Sequence, residues 1–448
     1  MTLTADSMGK GSSMPSTGKN KLVCVLGLGY IGLPTASVLA ANGYRVIGVD
    51  VNPHVVETIN RGEIHIEEPG LEMMVQAAVK SGRLEAVTEP VEADIFIIAV
   101  PTPITETKTA DMNFVKAAAK AIVPHLKPGN LVLLESTSPP GTTRDLVAPI
   151  LAESELEIGR ELFVAHCPER VLPGKILQEL IENHRVIGGL TPTCADQARA
   201  LYATFVAGQI HLTDATTAEM VKVMENTYRD VNIALANELA RLSEGLSISA
   251  WDVVRLANLH PRVNLHQPGP GVGGHCISVD PWFIVEQAPE TAKLIHLARQ
   301  INDAVPHRVA SVITSSLEGI KDPKVTVLGV AYKGNVDDTR ESPALEVLHD
   351  LTKAGIRVGI YDPHVQNFEY ELQSLEDAFQ DSDLAVLLAP HNEYKALEPS
   401  AIGKLMRNRA VFDTRNHVNL DLWTQAGFKA TLIGTATSKE DGLLQAFA

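Results

Sequence analysis

Six consecutive residues, Gly27-Leu28-Gly29-Tyr30-Ile31-Gly32, restrict the fold of this chain more than any other stretch. An apolar run over 21–26 leads into them and a helical stretch over about 34–42 leaves them. A second apolar run over 45–49 ends at Asp50. Glycines at the first, third and sixth positions permit a tight turn, close approach of backbone to a ligand, and close packing of helix on strand. The helix N-terminus offers unpaired N–H groups to a pyrophosphate. Asp50, at a strand end, would accept from ribose hydroxyls and repel a 2′-phosphate, so the unit reads as a site for NAD rather than NADP. Gly27, Gly29, Tyr30, Ile31, Gly32 and Asp50 are the candidate cofactor residues. A glycine turn that only packs helix on strand is the bland alternative, and the complete strand–turn–helix–strand–acid context argues against it.

Further β-like runs at 94–100, 131–135, 162–166 and 185–187 alternate with helical stretches, as in a mostly parallel sheet covered on both faces. Ligands of such sheets sit beyond the carboxyl ends of the strands. Thr102 and Thr137 both follow strand ends and are expected to face the cofactor, unless they serve only as turn formers. From 214 the pattern changes. Residues 214–244 lack Pro and Gly and stop at Gly245, a long helix; others are expected over 250–258 and 291–317. At 324 the strand–helix alternation resumes, with Ala331 standing where Gly29 stood and Lys333 intruding, which suits a phosphate ligand other than a dinucleotide. The expected organisation is a disordered tail over 1–20, an NAD-binding Rossmann domain over 21–212, a central helical region over 213–318 and a second Rossmann-like domain over 319–448. The fold class is α/β, two doubly wound domains joined by helices; 448 residues exceed what one core usually supports.

A net charge of -16 argues against a nucleic-acid partner. No apolar run is long enough for a bilayer and no secretory signal opens the chain, so a cytoplasmic protein without a membrane partner is expected. Four cysteines, Cys24, Cys167, Cys194 and Cys276, are too few for a disulfide framework. Without CxxC or HExxH spacing, no metal is expected.

Cys276 follows the glycine-rich Gly271-Val272-Gly273-Gly274-His275, where backbone comes close to a ligand and a thiol is poised for attack. A nucleophilic thiolate needs cationic help. Lys222 is a candidate for that help and Asp280 could orient it. Lys222, Asn226 and Arg229 stand at i, i+4 and i+7, on one helical face. Read alone, Cys276 is as readily an inert core thiol, and the three polar residues a solvated face.

Longer segments make the chain recognisable: 27–34 (GLGYIGLP), 59–68 (INRGEIHIEE), 135–139 (ESTSP), 167–175 (CPERVLPGK), 217–238 (TAEMVKVMENTYRDVNIALANE), 256–264 (LANLHPRVN), 267–284 (QPGPGVGGHCISVDPWFI) and 338–344 (DTRESPA). In this order they resemble the UDP-glucose/GDP-mannose dehydrogenase family over about 21–434, most strongly its branch acting on UDP-N-acetyl-D-mannosamine. The resemblance implies a four-electron oxidation of the sugar C6 hydroxymethyl by two NAD, with Cys276 holding the aldehyde as a thiohemiacetal and then a thioester. It makes Lys222 the cation that stabilises oxyanionic intermediates or shuttles the proton, and Asn226 the amide beside it. Thr137, Glu169 and Asp280 become the groups that position water and assist proton transfer. Arg170, Val171, Arg229, His260, Arg262 and Gly273 become sugar or nucleotide contacts, and Tyr332, Lys333, Arg340 and Arg415 contacts to UDP. One departure is Ser278, where the family usually has Pro or Ala. The resemblance further implies a homodimer or higher oligomer and a role in bacterial surface polysaccharide synthesis. Competing readings are UDP-N-acetylglucosamine or UDP-glucose as substrate, a two-electron dehydrogenase of the 6-phosphogluconate type, and a catalytically silent sugar-nucleotide sensor.

Overall fold

The computed structural model describes residues 21–435, so the expected disordered tail over 1–20 lies outside the described residues. Two compact units are present. Of the described residues, the first takes in 21–102, 112–137 and 141–219; the second takes in 103–111, 138–140 and 220–435.

The first unit is built on eight strands: β1 (Leu22–Leu26), β2 (Arg45–Val49), β3 (Leu84–Val87), β4 (Ile95–Ile98), β5 (Asn130–Leu134), β6 (Leu162–His166), β7 (Arg185–Gly189) and β8 (Ile210–Asp214). Their order is β3-β2-β1-β4-β5-β6-β7-β8. All neighbouring pairs are parallel except β6 with β7, where Ala165 faces Gly189. Side chains of a strand alternate between faces. Val23 and Val25 accordingly enter one core, with Leu33 and Ile97, while Cys24 and Leu26 enter the other, with Phe96 and Ile98. Between β1 and β4 the strand order reverses, which opens a crevice beyond their carboxyl ends. Helix α1 (Gly32–Ala41) starts there, earlier than the apolar pattern suggests.

The second unit carries five parallel strands: β9 (Lys324–Leu328), β10 (Arg357–Tyr361), β11 (Leu384–Leu387), β12 (Ala410–Asp413) and β13 (Lys429–Leu432), in the order β10-β9-β11-β12-β13. This is the other common doubly wound order, with its switch point between β9 and β11. Helices α2 (Ala215–Gly245), α3 (Ala250–Ala257), α4 (Asp280–Gln287) and α5 (Lys293–Ser316) separate the two sheets in sequence. Val223 of α2 packs with Trp282, Phe283 and Ile284 of α4, which fixes one helix upon the other. Among the described residues no helix is long and apolar enough to cross a membrane.

Candidate active site

In the first unit, Gly27 has φ +88° and a Cβ there would stand 2.6 Å from the Ala99 carbonyl oxygen. At Gly32 a Cβ would fall 1.8 Å from the Gly27 carbonyl oxygen, whereas at Gly29 it would meet nothing within 4 Å. Two glycines close the turn and the third leaves open space above its backbone, which fits a pyrophosphate group. Asp50 Oδ2 accepts from the Leu28 N–H at 3.1 Å and Oδ1 from the Asn52 N–H at 2.9 Å, so the predicted ribose acceptor also braces the turn. Thr102 Oγ1 donates to the Thr137 carbonyl at 2.7 Å, joining the loops that follow β4 and β5. Tyr30 and Ile31 lie half-buried in the turn.

Behind these loops is a buried polar cluster of which the sequence reading had only Glu169. Glu135 accepts from Tyr202 Oη at 2.5 Å and from Thr35 Oγ1 at 3.4 Å. Burial and the neighbouring Glu169 charge push its carboxyl up to about 7, against the pull of Tyr202, Arg185 and Thr35. Glu169 pairs with buried Arg185 at 2.7 Å and accepts from the Arg170 N–H at 2.6 Å, while the Arg185 guanidinium lies over the Tyr202 ring at 5.5 Å. The predicted Glu169 and Arg170 are thus brought together, and Val171 packs against the adjoining core. The only advance signal for Arg185 was a charge opening an apolar run. Cys24 and Cys167 are core thiols, pushed up to about 11 and about 12 by loss of solvation.

In the second unit, Cys276 is the exposed one of the four cysteines. The loop carrying it turns into α4, whose first residue is Asp280; the Cys276 carbonyl accepts from the N–H groups of Val279 at 3.2 Å and Asp280 at 2.8 Å. Asp280 is 3% exposed and accepts from Asn226 Nδ2 at 2.6 Å. Burial raises its carboxyl to about 6, opposed by the Lys222 charge and the Asn226 hydrogen bond. The structure thus hydrogen-bonds Asp280 to Asn226, and the Lys222 charge acts on the same carboxyl. The thiol itself is shifted the other way from what cations alone would give. Protein atoms crowd the sulfur although the residue is accessible, and loss of solvation with the Asp280 charge raises its pKa, outweighing Lys222, Arg340 and Arg229. Cationic help is present, but in this state it is the weaker influence.

Along α2, Asn226 is buried, Lys222 half-buried and Arg229 exposed. The glycine-rich loop is held from the same helix: Asn237 Oδ1 accepts from the Gly269 N–H at 3.0 Å and its amide donates to Asn302 at 3.1 Å, beside the buried Arg299–Asp230 pair. Gly273 is closed in by the Glu341 carbonyl and Tyr332. Arg340 makes a two-pronged contact to Asp338, at 2.8 and 2.6 Å, and Lys333 is exposed. Arg415 Nε donates to the Leu388 carbonyl at 2.9 Å, and burial lowers its guanidinium to about 10, against the pull of Asp413. A partly desolvated guanidinium held this way suits an incoming phosphate. His260 and Arg262 are exposed on the turn after α3. Asp362, the counterpart of Asp50, is consumed internally: Oδ2 accepts from the Val330 and Ala331 N–H groups and from His391 Nε2. The second sheet thus leaves no free acid for a ribose at that place.

Three consecutive family models match: the UDP-glucose/GDP-mannose dehydrogenase family NAD binding domain over 21–206, its central domain over 216–304 and its UDP binding domain over 326–420. The chain is 50% identical over 425 residues to a Methanococcus vannielii protein named UDP-N-acetyl-D-mannosamine dehydrogenase, covering 93% of this chain and 97% of that one. It is 49% identical over 408 residues to a Ralstonia solanacearum protein named NDP-N-acetyl-D-galactosaminuronic acid dehydrogenase, covering 88% and 96%. The solved structure of UDP-D-ManNAc dehydrogenase from Pyrococcus horikoshii superposes with a TM-score of 0.87 at 41% identity, covering 92% of this chain and 99% of that one.

Proposed function

Because the chain belongs to the UDP-glucose/GDP-mannose dehydrogenase family, we propose that it oxidises C6 of UDP-N-acetyl-D-mannosamine to a carboxylate with NAD, through a covalent adduct on Cys276. The observation that carries the reading is the arrangement of an accessible thiol beside a buried carboxylate of raised pKa, with Lys222 and Asn226 acting on that carboxylate. A one-step dehydrogenase of the 6-phosphogluconate type has no use for such a thiol.

The Gly27–Gly32 turn and Asp50 would hold NAD, which would accept a hydride in each of two successive oxidations. The rest falls to the chain's own groups. Lys222 places a fixed cation where the substrate oxygen becomes anionic. When the aldehyde has formed, the Cys276 sulfur bonds to its carbon and the thiol proton ends on its oxygen, relayed by Asp280. Asn226 keeps the Asp280 carboxylate aimed during that exchange. Removal of hydride and the hydroxyl proton leaves a thioester. Water then adds to its carbon, the C–S bond breaks and the thiol is restored, with Thr137 and Glu169 positioning that water. The sum is alcohol, two NAD and water giving carboxylate, two NADH and three protons.

We assign sugar or nucleotide contacts to Arg170, Val171, Arg229, His260, Arg262 and Gly273, and UDP contacts to Tyr332, Lys333, Arg340 and Arg415. Met224, Tyr228, Leu235 and Leu242 expose apolar surface along one side of α2, and a second copy of the chain is the partner we propose for it. The Ralstonia relative favours one other reading, the N-acetylgalactosamine epimer. Assay of the N-acetylmannosamine, N-acetylglucosamine, N-acetylgalactosamine and glucose UDP-sugars tests both. The mannosamine substrate should give the highest kcat/KM and two NADH per sugar, and one NADH per sugar would sink the covalent reading.

A further inference from the structure

The residue two places beyond Cys276 is Ser278, and its hydroxyl is buried and bonded. Ser278 Oγ donates to the Gly274 carbonyl at 2.5 Å, closing a ring of backbone that contains His275, Cys276 and Ile277. Gly274 is itself anchored. Its N–H donates to the Arg340 carbonyl at 3.2 Å, and its φ of +84° holds it so close to Tyr332 that a Cβ would stand 2.9 Å from the ring. On the far side, Cys276 is tied to the start of α4 by the Asp280 N–H, at 2.8 Å. The thiol-bearing residue therefore hangs between two clamps. One is the helix start, and the other meets the Tyr332–Arg340 loop at Gly273 and Gly274 and is closed by the Ser278 hydroxyl.

Glycines supply no stiffness of their own, so the near clamp depends on the serine hydroxyl. Proline would stiffen the same position by fixing φ, whereas alanine would offer neither ring nor hydroxyl. The hydrogen bond thus does for this chain what a ring can do elsewhere, and it does so at the one loop where sulfur must meet an aldehyde carbon. Displacing a nucleophile by about 1 Å can slow attack roughly a hundredfold. The first oxidation makes no bond to sulfur and is indifferent to that displacement.

We propose that Ser278 is a positioning residue for the second oxidation: by fixing Gly274 it holds the Cys276 thiol against the bound aldehyde and keeps that aldehyde from escaping. The inference rests on the covalent role of Cys276 proposed above. Substrate turnover with hydroxylamine or semicarbazide present separates the two half-reactions, since either traps aldehyde that leaves. Ser278→Ala should release aldehyde that the unsubstituted protein does not, lower carboxylate formation about tenfold or more, and leave the KM for NAD unchanged. Ser278→Pro should restore retention, because it replaces a tether with a locked backbone. Iodoacetamide alkylation of Cys276 gives an independent reading: Ser278→Ala should change its rate and Ser278→Pro should restore it. Aldehyde release by Ser278→Ala no greater than in the unsubstituted protein would overturn the proposal. So would equal release by the alanine and proline variants, which would show that the hydroxyl acts other than by holding the loop. Cys276→Ala in the same assay separates the two ideas. If it still forms carboxylate, the covalent reading fails, whatever Ser278 does.

Discussion

Asn226 and Asp280, on helices distant in sequence, meet through a 2.6 Å hydrogen bond whose acceptor is almost wholly buried. The bond lowers the carboxyl pKa against burial, which nevertheless leaves it at about 6. Asn226→Ala removes the donor, so Asp280 should hold its proton to higher pH. The acid limb of the kcat profile, which follows loss of the carboxylate as pH falls through about 6, should move upward. An unmoved limb would mean that another group sets it.

Asp280→Asn should abolish carboxylate formation while making the fold more stable at neutral pH. The native carboxyl keeps its proton up to about 6 whereas an unfolded one loses it near 3.8, so stability drains away as pH rises through that window. Neutral asparagine has no such loss. Thermal unfolding at about pH 4 and about pH 8 should show the variant's advantage only at the higher value. The same substitution removes a charge that raises the Cys276 thiol, so alkylation at about pH 8 should quicken.

Glu135→Gln should flatten the pH dependence of stability in the first unit. Native Glu135 binds its proton up to about 7 and the unfolded side chain only to about 4.5, so stability falls as pH rises between these values. Urea midpoints on either side of that window would show a smaller difference in the variant. An unchanged difference would place the proton elsewhere in the Glu135–Glu169 cluster.

Gly29→Ala and Gly32→Ala should separate binding from folding. A methyl at position 29 enters open space and should leave the melting temperature alone while raising the KM for NAD about tenfold or more. One at position 32 strikes the Gly27 carbonyl and should destabilise by about 1–3 kcal/mol. Equal losses of stability would refute the open-cradle description.

Much of this was legible in advance. The Gly27–Gly32 turn, the long helix ending at Gly245 and the paired doubly wound sheets follow from local pattern, because apolar alternation and glycine placement are local properties. What escaped depends on contacts between distant segments. Strand β8 is polar and partly exposed, with Leu212 39% exposed, so it lacks the apolar run that marks interior strands. Arg185 and Tyr202 could not be linked to Glu135 and Glu169 before the sheet order joined β5, β6 and β7. The sign of the thiol shift was hidden as well, since spacing shows that Lys222 is available but not how deeply the sulfur is set.

Helix α2 spans 31 residues, a rod of about 46 Å at 1.5 Å per residue. In its first half it carries Lys222 and Asn226; in its second half Asn237 grips Gly269, and near its end Glu244 accepts from the Gly434 N–H at 2.9 Å and pairs with Arg308. One continuous helix thus links contacts at the far sheet to the carboxyl site. Strain introduced beyond β13, at Gly434, would then be felt as a change in the proton affinity of Asp280, and the acid limb of the rate profile becomes a gauge of how the far sheet is seated.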